Sequence, residues 1–285
     1  MQAIPNEYEK IKRLSSGNSN RFGEVFLLKR KSDGELVVLK SVEKSNQLGF
    51  DQLKNEAQFS FSTAGLPEVI DIQESENEFY FLKKYEEGIS LNTYWSKIKK
   101  RKRLSKLKEI VSSLEILFAE LEKKGIIHCD IKPENILVQE INEKTNCSLI
   151  DFGLAFYRHQ PQVRKTIFQL AYSAPEIILN RLNCANPSTD VFSFCLVVYK
   201  LLSGRLPFSN SNPALQTHLQ ITYPIERPFL FNKKVWKVIE KGLKKHQFKK
   251  PANKYSVSKL DLFLLENSER RYKNFKEFTD SFKEI

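Results

Sequence analysis

The chain has 285 residues, of which 41% are hydrophobic and 12% are aromatic. Burial of this much apolar surface can offset the entropy lost on ordering the chain, which excludes an intrinsically disordered protein. The 46 Lys and Arg residues outnumber the 34 Asp and Glu residues, and the net charge of +12 favours polyanionic partners without choosing among nucleic acid, acidic lipid and phosphorylated ligands.

The N-terminal part of the chain, residues 1–84, is predicted to consist mainly of strands with one helix. Residues 24–30 and 35–41 read as strands that flank the turn Lys31-Ser-Asp-Gly34. The Asp-Gly pair supplies the positive φ that a tight turn requires. These two segments are therefore predicted to form an antiparallel hairpin.

The helix of this N-terminal part is predicted over residues 50–61. Its apolar side chains recur at helical spacing and are Phe50, Leu53, Ala57 and Phe61. This spacing puts Glu56 at the edge of the buried stripe, and residues 78–82 then return as a strand. The sequence thus predicts a smaller N-terminal lobe, residues 1–84, built on an antiparallel sheet with one helix.

The remainder, residues 85–285, is predicted to form a larger and mainly helical lobe. Residues 107–123 repeat apolar side chains at helical spacing, and Gly125 follows them as a C-cap glycine would. Residues 191–202 are almost wholly apolar and follow the polar residues 188–190. This order predicts a buried helix whose start is capped by a polar side chain.

Two segments of the second part stand out by composition. Residues 97–108 hold the densest run of Lys and Arg, for which the favoured interpretation is a solvated face before a helix. A nucleic-acid-binding surface is the alternative, although no aromatic side chains alternate with the basic ones. Residues 244–267 look inserted, and they are either a surface decoration or a carrier of partner specificity.

The four cysteines predict a reducing compartment. Cys129, Cys147, Cys184 and Cys195 are far apart and form no Cys-x-x-Cys pair, which disfavours a structural zinc site and a secreted disulfide framework. The first residues lack the basic-then-apolar order of a signal peptide, and no run of about 18 apolar residues occurs. We therefore expect a soluble, cytoplasmic protein without a membrane partner.

The most specific segment of the chain is Ile127-His-Cys-Asp-Ile-Lys-Pro-Glu-Asn-Ile-Leu-Val138, which carries four polar groups within an apolar frame. Its oxygen-bearing side chains Asp130 and Asn135, together with Asp151 further along, suit a magnesium ion carried on phosphates. Asp130 can accept a proton from a hydroxyl, and Lys132 can neutralise charge on a phosphoryl group. The pattern predicts phosphoryl transfer.

In these residues the chain resembles the eukaryotic-type (Hanks-type) serine/threonine protein kinases. Residues 128–135 match the catalytic loop of that family, Asp151-Phe-Gly153 its metal-binding turn and Ala174-Pro-Glu176 the end of its activation segment. The motifs occur in the family's order, and the resemblance covers about residues 14–278. It implies an α+β, bilobal protein-kinase-like fold, with ATP bound in the cleft between the lobes.

The resemblance also implies roles for individual residues. The ATP-binding positions would be Gly17, Gly23, Val25, Lys40 and Glu56, where Lys40 contacts the α- and β-phosphates and Glu56 holds that lysine in place. In the second lobe, Asp190 would begin a helix that anchors the catalytic loop, and Arg271 would pair with Glu176.

The catalytic positions implied by the resemblance are Asp130 and Lys132, and the Mg²⁺ ligands are Asn135 and Asp151. The implied cofactors are ATP and Mg²⁺, and the implied partners are ATP and a protein substrate. Autophosphorylation is an open alternative, and nucleic acid stays open as a partner without a supporting motif. Lys132 is similar to the serine/threonine pattern more than to the tyrosine pattern.

The chain departs from the family at several positions. The glycine-rich loop over residues 14–25 retains only its last part, Phe-Gly-Glu-Val, without ambiguity. Cys129 replaces the arginine that binds a phosphorylated activation segment, which predicts activity independent of phosphorylation at Thr166. Lys83 falls where an apolar residue is usual at the back of the nucleotide pocket, so either it pairs with an acidic residue or the alignment is off by one.

These departures motivate a second hypothesis for the function of the chain. A pseudokinase would keep the fold and act as a docking or scaffold module, with or without a nucleic-acid-binding basic surface. Against it stand Lys40, Asp130 and Asp151, which together supply the groups that phosphoryl transfer requires. An ATP- and Mg²⁺-dependent serine/threonine protein kinase is therefore the favoured interpretation.

Overall fold

The structure is a computed structural model that describes residues 4–14, 23–160, 171–229 and 231–285. Its internal contacts divide the chain into two compact units, residues 1–87 with 148–154 and residues 88–147 with 155–285. Within the described ranges, no helix combines the length and the apolar character needed to cross a membrane.

The first unit contains a five-stranded antiparallel sheet and one helix. Its elements are β1 (Tyr8–Arg13), β2 (Glu24–Arg30), β3 (Leu36–Glu43), α1 (Gln47–Glu56), β4 (Val69–Glu74) and β5 (Glu78–Lys84). The strands are ordered β1-β2-β3-β5-β4, which places β3 at the centre. The predicted hairpin is confirmed, because β2 pairs with β3 and Gly34 adopts a φ of 80° in the turn.

The two faces of this sheet bury different sets of side chains. One face is covered by a cluster of Tyr8, Phe26, Leu28, Val37, Leu39 and Leu82. The other face packs against α1 through Val42, Leu53, Ala57, Phe79 and Phe81. Each large apolar side chain buried here contributes about 1.5–3 kcal/mol to folding. Because successive side chains of a strand point to opposite faces of the sheet, every second residue of β3 faces α1.

The helix α1 ends five residues before the end that periodicity predicts. The amide side chain of Asn46 accepts a hydrogen bond from the Gly49 backbone and caps the helix start, and Ala57 is the C-cap residue. Phe59 and Phe61 lie beyond the helix, where both rings pack against Phe152. Tertiary packing thus overrides the helical spacing of Phe61, and the predicted range 50–61 is wrong at its C-terminal end.

The second unit is mainly helical. Its helices are α2 (Leu91–Lys97), α3 (Arg103–Lys123), α4 (Pro175–Ile178), α5 (Pro187–Ser203), α6 (Pro213–Thr222), α7 (Lys233–Gly242), α8 (Val257–Glu269) and α9 (Phe275–Lys283), with 3₁₀ turns at Lys100–Lys102, Pro133–Asn135, Leu182–Cys184 and Ala252–Lys254. Short strands are β6 (Ile89–Ser90), β7 (Ile126–Ile127), β8 (Ile136–Ile141), β9 (Lys144–Leu149), whose last two residues belong to the first unit, and β10 (Phe156–Tyr157). The α+β fold class, with an antiparallel sheet followed by a mainly helical part, is confirmed.

The buried helix α5 begins earlier than residue 191. Its N-cap is Asn186, whose side chain accepts from the Ser188 backbone, and Thr189 completes a capping box. Pro187 occupies the first helical position, where its missing N–H costs no hydrogen bond. The predicted polar cap is confirmed in kind but lies two residues upstream of Ser188.

The inserted-looking segment, residues 244–267, is part of the second unit. It contains the 3₁₀ turn Ala252–Lys254 and most of α8. Its buried apolar side chains join a cluster with Cys184 and Ile221, and they are Phe248, Leu260 and Leu264. The apolar half of the segment therefore belongs to the core, and its role in partner specificity stays a prediction.

Candidate active site

The first group of predicted site residues is an ion cluster on the α1 face of the sheet. The Lys40 ammonium donates to Glu56 Oε2 at 2.6 Å and lies 3.8 Å from Asp151 Oδ1. Glu56 is the last residue of α1, and it is 3% exposed. Although burial alone would lower it, the pKa of Lys40 is raised because Asp151 and Glu56 both favour the ammonium form.

Lys83 joins the same cluster. Its ammonium donates to the second oxygen of Glu56, Oε1, at 2.8 Å. The side chain is 8% exposed, and burial lowers the pKa of Lys83, with the positive charge of Lys40 acting in the same direction and Glu56 opposing it. Of the two explanations that the sequence leaves open for this lysine, the structure supports an acidic partner, and Glu56 is that partner.

The turn Asp151-Phe-Gly153 is fixed to α1 by its backbone. The side-chain amide of Asn55 donates to the carbonyls of Phe152 and Gly153, at 3.3 and 3.0 Å. Phe152 is fully buried, and Asp151 adopts a φ of 68°, a conformation uncommon for residues other than glycine. This geometry holds the Asp151 carboxylate beside Lys40. Sequence reasoning missed Asn55, although its position next to Glu56 could have suggested it.

Gly23 and Val25 lie at the start of β2. Gly23 has a φ of 91°, and a Cβ added there would collide with the backbone oxygen of Ser41. Val25 pairs with Lys40 across β2 and β3, so the two side chains share the α1 face of the sheet. Gly17, the third predicted glycine-loop contact, lies outside the described residues.

The second group of predicted site residues lies in the loop between β7 and β8. The Asp130 carboxylate is 8% exposed, and its Oδ2 accepts from Lys132 Nζ at 2.7 Å and from Asn135 Nδ2 at 2.8 Å. Asn135 Nδ2 also donates to the Asp130 carbonyl at 2.9 Å. The three residues that the motif predicts are therefore joined by hydrogen bonds, and Asp130 is held in one orientation.

Asp190 anchors this loop from the first turn of α5. Its two carboxylate oxygens accept from the backbone N–H groups of His128 and Cys129, at 2.8 and 2.9 Å. Burial raises the pKa of Asp190 to about 6, and the two backbone hydrogen bonds oppose this shift. Cys129 has a φ of 64°, which the anchor helps to maintain. His128 is fully buried and accepts from the Asp130 backbone, as a structural histidine would.

A buried ion pair joins α4 to the segment between α8 and α9. Glu176 on α4 binds Arg271 through two contacts of 2.7 and 3.1 Å, and each side chain is 1% exposed. Thr189 on α5 donates to the same carboxylate at 2.8 Å. Arg271 also donates from Nε to the Lys244 carbonyl. The pairing predicted from the resemblance is present, while the contribution of Thr189 was not predicted.

Asp151 in the first unit and Asn135 in the second unit each present an oxygen of the kind that Mg²⁺ prefers. Within the described ranges, no group of three or more His, Cys, Asp or Glu side chains is arranged to hold a metal ion. Nucleotide-bound Mg²⁺ requires only one or two protein oxygens, because phosphates and water complete its octahedron. Asp151 offers a carboxylate that is 35% exposed, and Asn135, whose nitrogen donates to Asp130, offers its amide oxygen.

Comparison with known proteins identifies the family. The chain matches the family model described as protein kinase domain over residues 8–264, and it belongs to that family. The membership predicted from the motifs is confirmed.

The curated relatives are protein kinases of greater length. Serine/threonine-protein kinase D2 of Rattus norvegicus is 28% identical over 234 residues, which are 79% of this chain and 25% of the relative. CBL-interacting protein kinase 26 of Oryza sativa subsp. japonica is 28% identical over 220 residues, which are 73% of this chain and 42% of the relative. The chain thus spans less than half the length of either relative.

Proposed function

We propose that the protein is an ATP- and Mg²⁺-dependent kinase that transfers the γ-phosphate of ATP to serine and threonine hydroxyls of proteins. The observation that carries the proposal is the Asp130 carboxylate, held at hydrogen-bond distance by Lys132 and Asn135 in a chain of the protein kinase family. Asp130 would orient the substrate hydroxyl and accept its proton. Lys132 would stabilise charge on the phosphoryl group in transfer.

Residues 1–84 are proposed to form the nucleotide-binding lobe. Lys40, oriented by Glu56, would bind the α- and β-phosphates, and this role is supported by their 2.6 Å contact. Gly23 and Val25 would cover the nucleotide, as would Gly17. Val25 is supported by its position opposite Lys40 on the neighbouring strand.

Residues 85–285 are proposed to form the lobe that carries the catalytic loop and binds the protein substrate. Asp151 and Asn135 would supply oxygen ligands to Mg²⁺, which offsets the negative charge of the phosphates. The serine/threonine specificity is supported by Lys132 and by the similarity to serine/threonine-protein kinase D2. A cytoplasmic location is proposed from the scattered cysteines.

Transfer of labelled phosphate from ATP tests this function. The wild-type protein is incubated with Mg²⁺ and with a basic or an acidic generic protein substrate, and hydrolysed products are separated into phosphoserine, phosphothreonine and phosphotyrosine. We expect label on serine or threonine and its loss when a chelator removes Mg²⁺. Label on the protein itself would identify autophosphorylation.

The opposite outcome would favour the pseudokinase. A folded protein that transfers no phosphate to any substrate, and whose thermal unfolding temperature is unchanged by ATP with Mg²⁺, contradicts the proposed function. Stabilisation by ATP without transfer would indicate a nucleotide-regulated docking module.

Activity is further proposed to be independent of phosphorylation at Thr166, a residue outside the described ranges. Cys129 is 3% exposed, and its neutral thiol cannot form the charge-assisted hydrogen bond with phosphate that an arginine forms. We expect Thr166→Ala to retain kcat within about threefold of the wild type, since no charged pair is lost. Loss of most activity in a folded Thr166→Ala protein would contradict this expectation.

A further inference from the structure

We propose that Lys83 is a positioning residue for the phosphoryl transfer, which holds one oxygen of Glu56 so that the other oxygen stays directed at Lys40. The inference rests on the proposed function and adds a residue to it. Lys83 Nζ lies 2.8 Å from Glu56 Oε1, and Lys40 Nζ lies 2.6 Å from Glu56 Oε2. Each lysine therefore binds its own oxygen of one carboxylate.

The strand register places the two lysines together. In the antiparallel pair of β3 and β5, Lys40 lies opposite Phe81, and Lys83 lies opposite Val38. Residues two apart on a strand share a face, so both lysines are on the α1 face and are diagonal neighbours. Glu56 is the last residue of α1, the helix that packs against this face. The arrangement follows from the register and does not need an unusual backbone.

The burial of Lys83 has a cost that packing alone does not explain. A lysine is rarely buried without a partner, and placing a second ammonium near Lys40 adds repulsion. An apolar side chain at this position would fill the same space without either penalty, and Glu56 would still be paired with Lys40. The charge of Lys83 is therefore best explained by what it does to Glu56.

Because each oxygen of the Glu56 carboxylate is bound by a different lysine, the carboxylate is held in one orientation. With Lys40 alone, Glu56 could turn about its terminal torsion, which is broad for a carboxylate. With Lys83 bound as well, rotation breaks a hydrogen bond in an environment with little access to water. Glu56 binds Lys40 on β3 and Lys83 on β5, and Asp151 after β9 lies 3.8 Å from Lys40, so these described residues combine two cations with two carboxylates. Lys40 is thereby oriented before the nucleotide binds.

Substitution of Lys83 by methionine tests the proposal, because methionine retains the length and removes the charge. We expect kcat/KM for ATP to fall about 10- to 100-fold, the effect typical of a lost partner behind a functional group. The thermal unfolding temperature should change little, because Glu56 keeps Lys40 as its partner and no unpaired buried charge is left. Lys83→Arg, which keeps the charge, should recover part of the lost kcat/KM.

The neighbouring residue provides the matched control. Lys84 pairs with Glu68 at 3.6 Å and is 52% exposed, so Lys84→Met makes the same chemical change without touching Glu56. Its kinetic constants should match those of the wild type. Unchanged kcat/KM in Lys83→Met, or a loss that follows the loss of stability and is not recovered by arginine, would overturn the proposal.

A readout without turnover separates this inference from the proposed function. Crystal structures of the wild type and of both methionine variants give the distance between Lys40 Nζ and Glu56 Oε2. This contact, 2.6 Å in the wild type, should lengthen beyond hydrogen-bond range or split into alternative orientations of the Glu56 carboxylate in Lys83→Met, and it should stay intact in Lys84→Met. An unchanged, singly oriented Lys40–Glu56 contact in Lys83→Met overturns the inference, whereas absence of phosphate transfer by the wild type contradicts only the proposed function.

Discussion

Replacement of Asp130 by asparagine is expected to lower kcat by roughly 10²- to 10⁴-fold, the range that a positioned general base contributes. An amide cannot accept the hydroxyl proton, and the ammonium of Lys132 loses the carboxylate that binds it at 2.7 Å. The variant should remain folded, because the asparagine oxygen can still accept from Asn135. Initial rates of label transfer at saturating ATP measure the effect, and circular dichroism verifies the fold.

Asp261 offers a control of the same chemistry. Its carboxylate, on α8, binds Arg181 through two contacts of 2.6 Å. Asp261→Asn therefore loses an ion pair without removing the proposed base, and we expect its kcat to stay close to that of the wild type. If Asp130→Asn lost no more activity than Asp261→Asn, the assignment of Asp130 as the base would be wrong.

The catalytic loop could be predicted from the sequence because its interactions are local. Asp130 binds Lys132 and Asn135, two and five residues away, so residue type and spacing already contain the geometry. A polar group of this kind within an apolar frame is seldom needed by a surface loop. The anchor provided by Asp190, in contrast, spans about sixty residues and was predicted only through the resemblance.

The surroundings of Glu56 could not be predicted in the same way. Whether Lys83 faces α1 depends on the register between β3 and β5, and a shift of one residue would turn it to the opposite face. The end of α1 was missed for a related reason. Phe61 continues the helical spacing, yet it lies beyond the helix and its ring packs against Phe152, more than ninety residues further along the chain. Periodicity carries no information about that partner.

Substitution of Arg271 by methionine is expected to reduce the free energy of unfolding by about 3–5 kcal/mol, the effect of removing one member of a buried ion pair. The Glu176 carboxylate would remain buried. It would lose the guanidinium and keep the hydrogen bond from the Thr189 hydroxyl. The Lys244 carbonyl would lose its bond from the guanidinium as well. For a chain of this size, the unfolding temperature measured by calorimetry should fall by roughly 6 °C or more.

Two further variants distinguish the buried charge from the lost contacts. Arg181→Met removes an arginine with equally good two-point geometry from Asp261, but this pair is 24% and 18% exposed, so we expect a loss of about 1 kcal/mol or less. The double variant Arg271→Met with Glu176→Gln has no unpaired buried charge. Its free energy of unfolding should recover much of the loss seen in Arg271→Met, because burying an unpaired charge costs more than burying an amide. Equal losses in Arg271→Met and Arg181→Met, or a double variant less stable than Arg271→Met alone, would show that burial of the Glu176 charge does not determine the stability of this part of the chain.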